Sequence, residues 1–306
     1  MKIVYSLIIP HKNCPVLLNR CLDSIPTRDD VQIIVVDDNS DVDKKPILSR
    51  QNVELVLLDE ERSKGAGRAR NVGIWKAKGK WLLFADADDY YTEYLPVLMD
   101  KYADDDNTDM VFLNARKIDD KGMMRPLIID RFINNYLHGN KKAEADLRFG
   151  VWTPWTRMVK RELVFNHHLS FEELPAGNDV KFGLNTSLCA KTIEVEKAIV
   201  YHYYQWPTLS ITERIRQGLV DERLQVVCNI IAVYEKVGYR SNMSLCIVIL
   251  TLIRNSKLSL GQGVQRYRKY VKKYRLSWWR DVVNCFSEVT QIYVNKVRRK
   301  IKSADC

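Results

Sequence analysis

An α/β fold on a parallel sheet, followed by a helical C-terminal appendage, is predicted by three features of the 306-residue chain. Apolar runs of strand length end in polar loops, helical stretches follow those loops, and the last third is basic with helical spacing. Alternation of strand and helix is the pattern of a parallel α/β sheet. In such sheets ligands gather beyond the carboxyl ends of the strands, where the polar residues lie here.

The elements follow in order. Lys2 to Ile9 is a strand-like run ending at Pro10-His11-Lys12-Asn13, and Leu17, Leu18, Cys21, Leu22 and Ile25 then recur at helical spacing. Val31 to Val36 is a second, β-branched run, ending in Asp37-Asp38-Asn39-Ser40. Lys64-Gly65-Ala66-Gly67-Arg68-Ala69-Arg70-Asn71 opens a helix through Trp75 and Lys78. Lys80 to Leu83 is a strand that runs into Phe84-Ala85-Asp86-Ala87-Asp88-Asp89-Tyr90. A helix over about 92–103, a turn at Asp104-Asp105-Asp106-Asn107 and a strand at Met110 to Leu113 come next. There is no internal repeat and no low-complexity linker.

The acidic loop carries the chemistry. Desolvated carboxylates are costly without a counter-charge, and Asp86-x-Asp88 presents two hard oxygen ligands at one loop. That pattern suits a divalent cation, magnesium or manganese, that shares itself with phosphate oxygens. Solvated turn residues feeding a helix N-terminus would look the same. Gly65 and Gly67 serve equally a phosphate cradle or a plain turn, and Arg68, Arg70 and Asn71 supply donors close by.

The ordered set LIIPHKN, IIVVDDNS, GAGRARNVGI and GKWLLFADADDYY resembles the nucleotide-sugar half of family 2 glycosyltransferases, which have the GT-A fold, a Rossmann-like sheet. A weaker likeness continues through Val151-Trp152-Thr153-Pro154-Trp155, Pro175 to Phe182, Tyr201-His202-Tyr203-Tyr204 and Ser210-Ile211-Thr212. The resemblance covers roughly two-thirds of the chain. It implies a GT-A domain over 1–208, with a donor half at 1–115 and an acceptor half at 116–208; charge and helical spacing mark a basic helical region at 209–306.

The resemblance also implies roles. Asp88 is the expected metal ligand, with Asp86 at the ribose or a metal-bound water and Ala87 between them at the donor. Asp37 and Asp38 are expected at the base, where a carboxylate accepting the uracil N3–H favours a uridine diphosphate sugar; an Asx-type turn fits the same residues. Pro10, His11 and Asn13 would line the floor under the base, although His11 departs from the small or aromatic residue usual there. Gly67, Arg70 and Asn71 fall at the diphosphate, with Asn71 alternatively tying loops together.

Asp179 matches the general base of an inverting transferase, and an N-cap role fits it too. Asn178 replaces the usual Glu and is expected near the acceptor. His202 is an expected extra metal or diphosphate ligand, against a packing role on its strand. Trp152 and Trp155 are expected either as a wall under the acceptor sugar or as core.

A hydrophobic share of 46% and a charged share of 28% mark a folded protein. Seven cysteines without a C-x-x-C pair argue for a reducing compartment. No export signal and no run of the ~20 apolar residues a spanning helix needs are visible, so a cytoplasmic location is expected. From Arg254 onward, 14 Lys and Arg face only Asp281, Glu288 and Asp305, a net +11 against +10 for the whole chain. Tyr267, Tyr270, Tyr274, Trp278, Trp279, Phe286 and Tyr293 interleave with them. Such helices rest peripherally on an anionic membrane surface, here the inner face of the cell membrane. A solvated face fits as well, and no motif supports nucleic acid.

The expected partners are a nucleoside diphosphate sugar and a saccharide or lipid-linked saccharide acceptor. A sugar-phosphate nucleotidyltransferase is the rival enzyme, but it would carry a lysine-bearing glycine loop after the first strand. A catalytically silent sugar-nucleotide-binding or membrane scaffold protein is the rival outside enzymes.

Overall fold

The computed structural model describes residues 2–205, 220–287 and 290, apart from 49, 51, 141, 240, 242 and 256. Two compact units divide the chain, Met1–Arg214 and Ile215–Cys306.

The first unit is built on a nine-stranded sheet. Its strands are β1 (Tyr5–His11), β2 (Val31–Asp37), β3 (Val53–Leu57), β4 (Trp81–Phe84), β5 (Tyr90–Tyr91), β6 (Met110–Ile118), β7 (Met124–Pro126), β8 (Arg157–Lys160) and β9 (Ile193–Tyr204). They run in the order β3-β2-β1-β4-β8-β6-β9-β5, with β7 paired to β6. The half from β3 to β4 is parallel throughout, as the apolar runs predict. Beyond β4 the sheet is mixed. β8 enters antiparallel between β4 and β6, and β5 pairs antiparallel with β9. The expectation of a parallel sheet therefore holds for β3-β2-β1-β4 and for the β6–β9 pair only.

Seven helices complete this unit among the described residues: α1 (Pro15–Asp23), α2 (Ala66–Lys76), α3 (Leu95–Tyr102), α4 (Ile128–Leu137), α5 (Ala143–Gly150), α6 (Arg161–Asn166) and α7 (Val180–Cys189). Pro15 opens α1, where its missing N–H costs nothing. β1 is buried at every position because it is central and covered on both faces. One continuous core runs from Tyr5 through Phe112 and Phe182 to Tyr201, so nothing physical separates the chain near residue 115.

The second unit contains α8 (Val220–Val237), α9 (Leu245–Arg254) and α10 (Leu260–Tyr274), with a further helical stretch at 278–287. Leu224, Cys228, Leu245, Ile249, Leu252, Tyr270 and Leu276 form its core. Ser259 and Gln262 make a capping box that starts α10. Asp281, almost fully buried, accepts the N–H groups of Leu245 and Cys246 at 2.6 and 3.0 Å and so holds the start of α9. Among the described residues no helix is long and apolar enough to cross a membrane. The Ser210-Ile211-Thr212 motif, Tyr293 and the basic residues from Lys296 onward lie outside the described residues.

Candidate active site

The carboxyl ends of β1, β2 and β4 and the start of α2 bring the polar loops together. Arg70, on the buried face of α2, is their hub. Its Nη2 donates to Asp86 Oδ1 at 2.5 Å and its Nη1 to Asn178 Oδ1 at 2.9 Å, while its guanidinium lies 5.3 Å from the centre of the Phe171 ring. One arginine thus joins the acidic loop after β4 to the loop before α7, more than 90 residues later in the chain. Asn178 fills the place of the acid expected there and still serves as an acceptor for Arg70.

The loop bearing Asp86 and Asp88 is held from behind. Asp89, 1% exposed, accepts from the Tyr201 hydroxyl at 2.9 Å and from the Tyr204 N–H at 2.7 Å. The same hydroxyl accepts the Asp86 N–H at 2.9 Å. Arg20 of α1 donates to the Asp88 carbonyl at 2.5 Å, with its guanidinium 5.0 Å from the Tyr90 ring centre and 4.7 Å from that of Tyr204. Burial, then the charges of Asp86 and Asp88, push the Asp89 carboxyl well above its usual range. The side chains of Asp86 and Asp88 present hard oxygens of the kind that suits a divalent cation. Ala87, between the two candidate ligands, is buried.

His202 meets the same segment at Tyr90. Successive strand residues face opposite sides of a sheet, and Tyr201 takes the side toward Asp86. His202 packs edge-on against Tyr90, with ring centres 5.0 Å apart, and burial lowers its pKa. Among the described residues no three His, Cys, Asp or Glu side chains converge as a ready ligand set. His202 packs on its strand, and its buried Nδ1 has no hydrogen-bond partner among the described residues.

At the end of β2, Asp37 and Asp38 are 2% and 3% exposed. Asp37 accepts from His11 Nδ1 at 2.7 Å, from the Ser40 hydroxyl at 2.5 Å and from the Ser40 N–H at 3.1 Å. His11 Nε2 accepts the Cys14 N–H at 3.2 Å, which leaves the proton on Nδ1. With both nitrogens bound and its ring buried, His11 offers no face to a base; it is a spacer between loops. Asp38 accepts from the N–H groups of Lys64 and Gly65 at 3.2 and 3.1 Å, fixing the entry to α2, where Gly65 has φ +84°. Pro10 is buried inside β1. Asn13 uses both amide atoms on Asp41, at 2.8 and 3.2 Å, and so links the loops after β1 and β2.

The glycine and asparagine of α2 prove to be packing devices. A Cβ on Gly67 would lie 2.0 Å from the Glu172 carbonyl oxygen, so the loop can approach α2 only at a glycine. Asn71 donates to the Phe171 carbonyl at 3.0 Å and accepts its N–H at 2.8 Å. Both polar ends of its amide are therefore committed to the loop, the structural alternative of the two expected for it. Glu173 adds ion pairs to Arg68 at 3.2 Å and Lys64 at 3.5 Å.

Asp179 stands at the N-cap position of α7 without capping it. Its backbone is αR and its side chain makes no cap hydrogen bond. Burial raises its pKa, Arg70 and Arg157 pull it back, and Asp86 adds to the rise. Arg157 lies behind it, fully buried and bonded to the Gly183 and Val151 carbonyls, with burial lowering its own pKa to about 10. Trp155 is 8% exposed and stacks on Tyr201 and Tyr203 at 5.2 and 5.6 Å, so it is core and not a sugar wall. Trp152 is half-buried, its Nε1 donating to the Phe149 carbonyl at 2.8 Å. Tyr201, Arg20 and Phe171 are site residues that sequence reasoning missed; the aromatic cluster at 201–204 was the available signal.

The model of glycosyl transferase family 2 matches residues 6–165, just over half of the chain. The chain belongs to that family. Among curated relatives, the poly(ribitol-phosphate) beta-glucosyltransferase of Bacillus spizizenii is 28% identical over 208 residues, covering 65% of this chain and 32% of that one. The succinoglycan biosynthesis protein ExoO of Rhizobium meliloti is 29% identical over 213 residues, covering 64% and 56%. The chain thus spans less than two thirds of the length of these relatives. In structure it is similar to residues 1–349 of TarS of Staphylococcus aureus in complex with UDP-GlcNAc, at TM-score 0.58 and 19% identity over 76% of this chain and 66% of that one. It is also similar to the mannosyltransferase PcManGT of Pyrobaculum calidifontis in complex with GDP-Man and Mn2+, at TM-score 0.51 and 15% identity over 95% and 87%. These likenesses establish the GT-A fold, with a helical C-terminal region.

Proposed function

We propose that the chain is a metal-dependent, inverting glycosyltransferase of surface polysaccharide synthesis. It takes a sugar from a nucleoside diphosphate sugar, of the uridine type, to a hydroxyl of a saccharide or lipid-linked saccharide at the inner face of the cell membrane. The observation that carries this reading is Arg70 spanning from Asp86 to Asn178, beside Asp179. It couples the loop suited to a diphosphate with the loop suited to an acceptor.

Asp88 and Asp86 would hold a divalent cation, which would supply charge neutralisation for the leaving diphosphate. The chain's own residues do the rest. Arg70 adds a fixed positive charge beside that leaving group and orients Asp86. Asp179, uncapped and more basic than an ordinary carboxylate, accepts the acceptor hydroxyl proton as the oxygen attacks the sugar carbon opposite the diphosphate. The β2 end, at Asp37 and Asp38, borders the base, and Trp152 borders the acceptor. The uridine preference draws support from the UDP-GlcNAc complex of TarS, and the cation from the Mn2+ complex of the mannosyltransferase.

A thermal-shift panel of nucleoside diphosphate sugars with and without manganese tests the reading, because a ligand of the folded state raises the melting point by mass action. UDP-sugars should raise it only with manganese. A panel in which no nucleoside diphosphate sugar raises it would overturn the proposal.

A further inference from the structure

The aromatic residues of the C-terminal unit fall into two groups. Tyr270 is 4% exposed, and Tyr267 and Tyr274 pack against the helical core. Trp278, Trp279, Val283 and Phe286, in contrast, are 64%, 54%, 58% and 71% exposed on the helical stretch 278–287. Positions 279, 283 and 286 share one helix face. That face cannot roll inward, because the opposite one is anchored: Asp281 binds the start of α9 and Cys285 is buried.

Charge is divided just as sharply. Residues 215–306 carry 18 Lys and Arg against 6 Asp and Glu, a net +12, which leaves the first unit at −2. Lys269, Lys272, Lys273 and Arg280 are exposed on either side of the Leu276 turn, and the Arg280 guanidinium lies 5.2 Å from the Trp279 ring centre. Exposed indole rings beside cations on a helix that does not span match the interface of an anionic bilayer, with rings at headgroup depth.

We infer that the face of Trp279, Val283 and Phe286, flanked by the exposed Trp278, docks the protein on an anionic lipid surface. A second copy of the chain would bring the same positive charge against it. Nucleic acid shares the charge of the lipid but offers nothing to Val283 and Phe286. Docking here needs no donor, so it stands apart from the glycosyl-transfer reading.

Co-sedimentation of the full chain with phosphatidylcholine vesicles, with and without phosphatidylglycerol, tests the inference at low and high salt. Binding should require phosphatidylglycerol and weaken as salt shortens the screening length. Reversing Lys269, Lys272 and Lys273 to Glu should lower low-salt partitioning by about 10²-fold or more. Trp278→Ala with Trp279→Ala should remove most of the binding that survives high salt. Both variants change exposed side chains, so unchanged melting points show that the fold persists. Wild-type protein that ignores phosphatidylglycerol vesicles at low salt overturns the inference. So does a Trp variant that pellets like wild type but turns a dimer into a monomer, or a wild type that binds single-stranded DNA and not vesicles. Loss of manganese-dependent UDP binding in the wild type would count against the transferase reading and leave the vesicle result standing.

Discussion

The Tyr201 hydroxyl donates to Asp89 at 2.9 Å and, at the same distance, accepts the N–H of Asp86. A residue at the end of the last strand thereby fixes the backbone of the acidic loop. Tyr201→Phe keeps the stacking on Trp155 and removes only the hydroxyl, so the melting point should fall by a few degrees at most. Amide exchange in the 84–90 segment should nevertheless accelerate, and UDP affinity in manganese should drop by about tenfold or more, because two buried hydrogen bonds are lost. Tyr91→Phe, which loses an equally buried hydroxyl bonded to the Phe84 carbonyl, is the control and should leave UDP binding largely intact. Equal effects of the two changes would reduce Tyr201 to plain packing.

Asp88→Asn should leave the fold unchanged and abolish the manganese-dependent part of UDP binding, since an amide is a much poorer ligand for a hard cation. Calorimetric titration of UDP with and without manganese reads this directly. Unaltered metal dependence in the variant would dismiss Asp88 as a ligand.

Asp179→Asn preserves size and removes basicity. Donor binding should persist while transfer falls by about 10²-fold or more. The pH profile carries the sign: the base works when deprotonated, so kcat/KM should fall as pH drops through the Asp179 pKa. Burial raises that pKa, which places the acid limb above the ordinary carboxylate value near ~4. Arg70 lowers it, so Arg70→Gln should move the limb further up. A profile that is flat through the weakly acidic range in the wild type would point to a different base.

Gly67→Ala tests the packing of α2 against the 171–178 loop. A Cβ 2.0 Å from a backbone oxygen forces one of the two to move. Destabilisation of about 1–3 kcal/mol is expected, as for other overpacked sites, together with weaker UDP binding. A melting point equal to wild type would show the loop to be readily displaced.

What was readable in the sequence follows from burial. β1, β2 and β4 are covered on both faces, so they show as unbroken apolar runs before their polar loops. β3 lies at the sheet edge and is half-exposed, and β8 reads Arg-Met-Val-Lys; neither has a run that stands out. Most of the candidate loops were found because their polar residues follow legible strands. The roles within them were harder, because an asparagine that ties two loops and one that touches a ligand are the same letter. Asn71, Asn13 and His11 all turned out to bond protein partners. At Tyr201-His202, strand alternation decides which side chain meets the acidic loop, and that requires knowing which face of β9 is inward.

The pairing of β5 with β9 sets Tyr90 opposite His202 and Tyr91 opposite Tyr201. During synthesis the ribosome delivers Asp86 and Asp88 long before the strand that anchors them. A nascent chain can assemble the β1–β2–β4 ladder early, yet its acidic loop gains its final backing only when Tyr201 and Tyr204 emerge. The backing of the acidic loop therefore arrives late in the birth of the molecule, after nearly the whole first unit has been made.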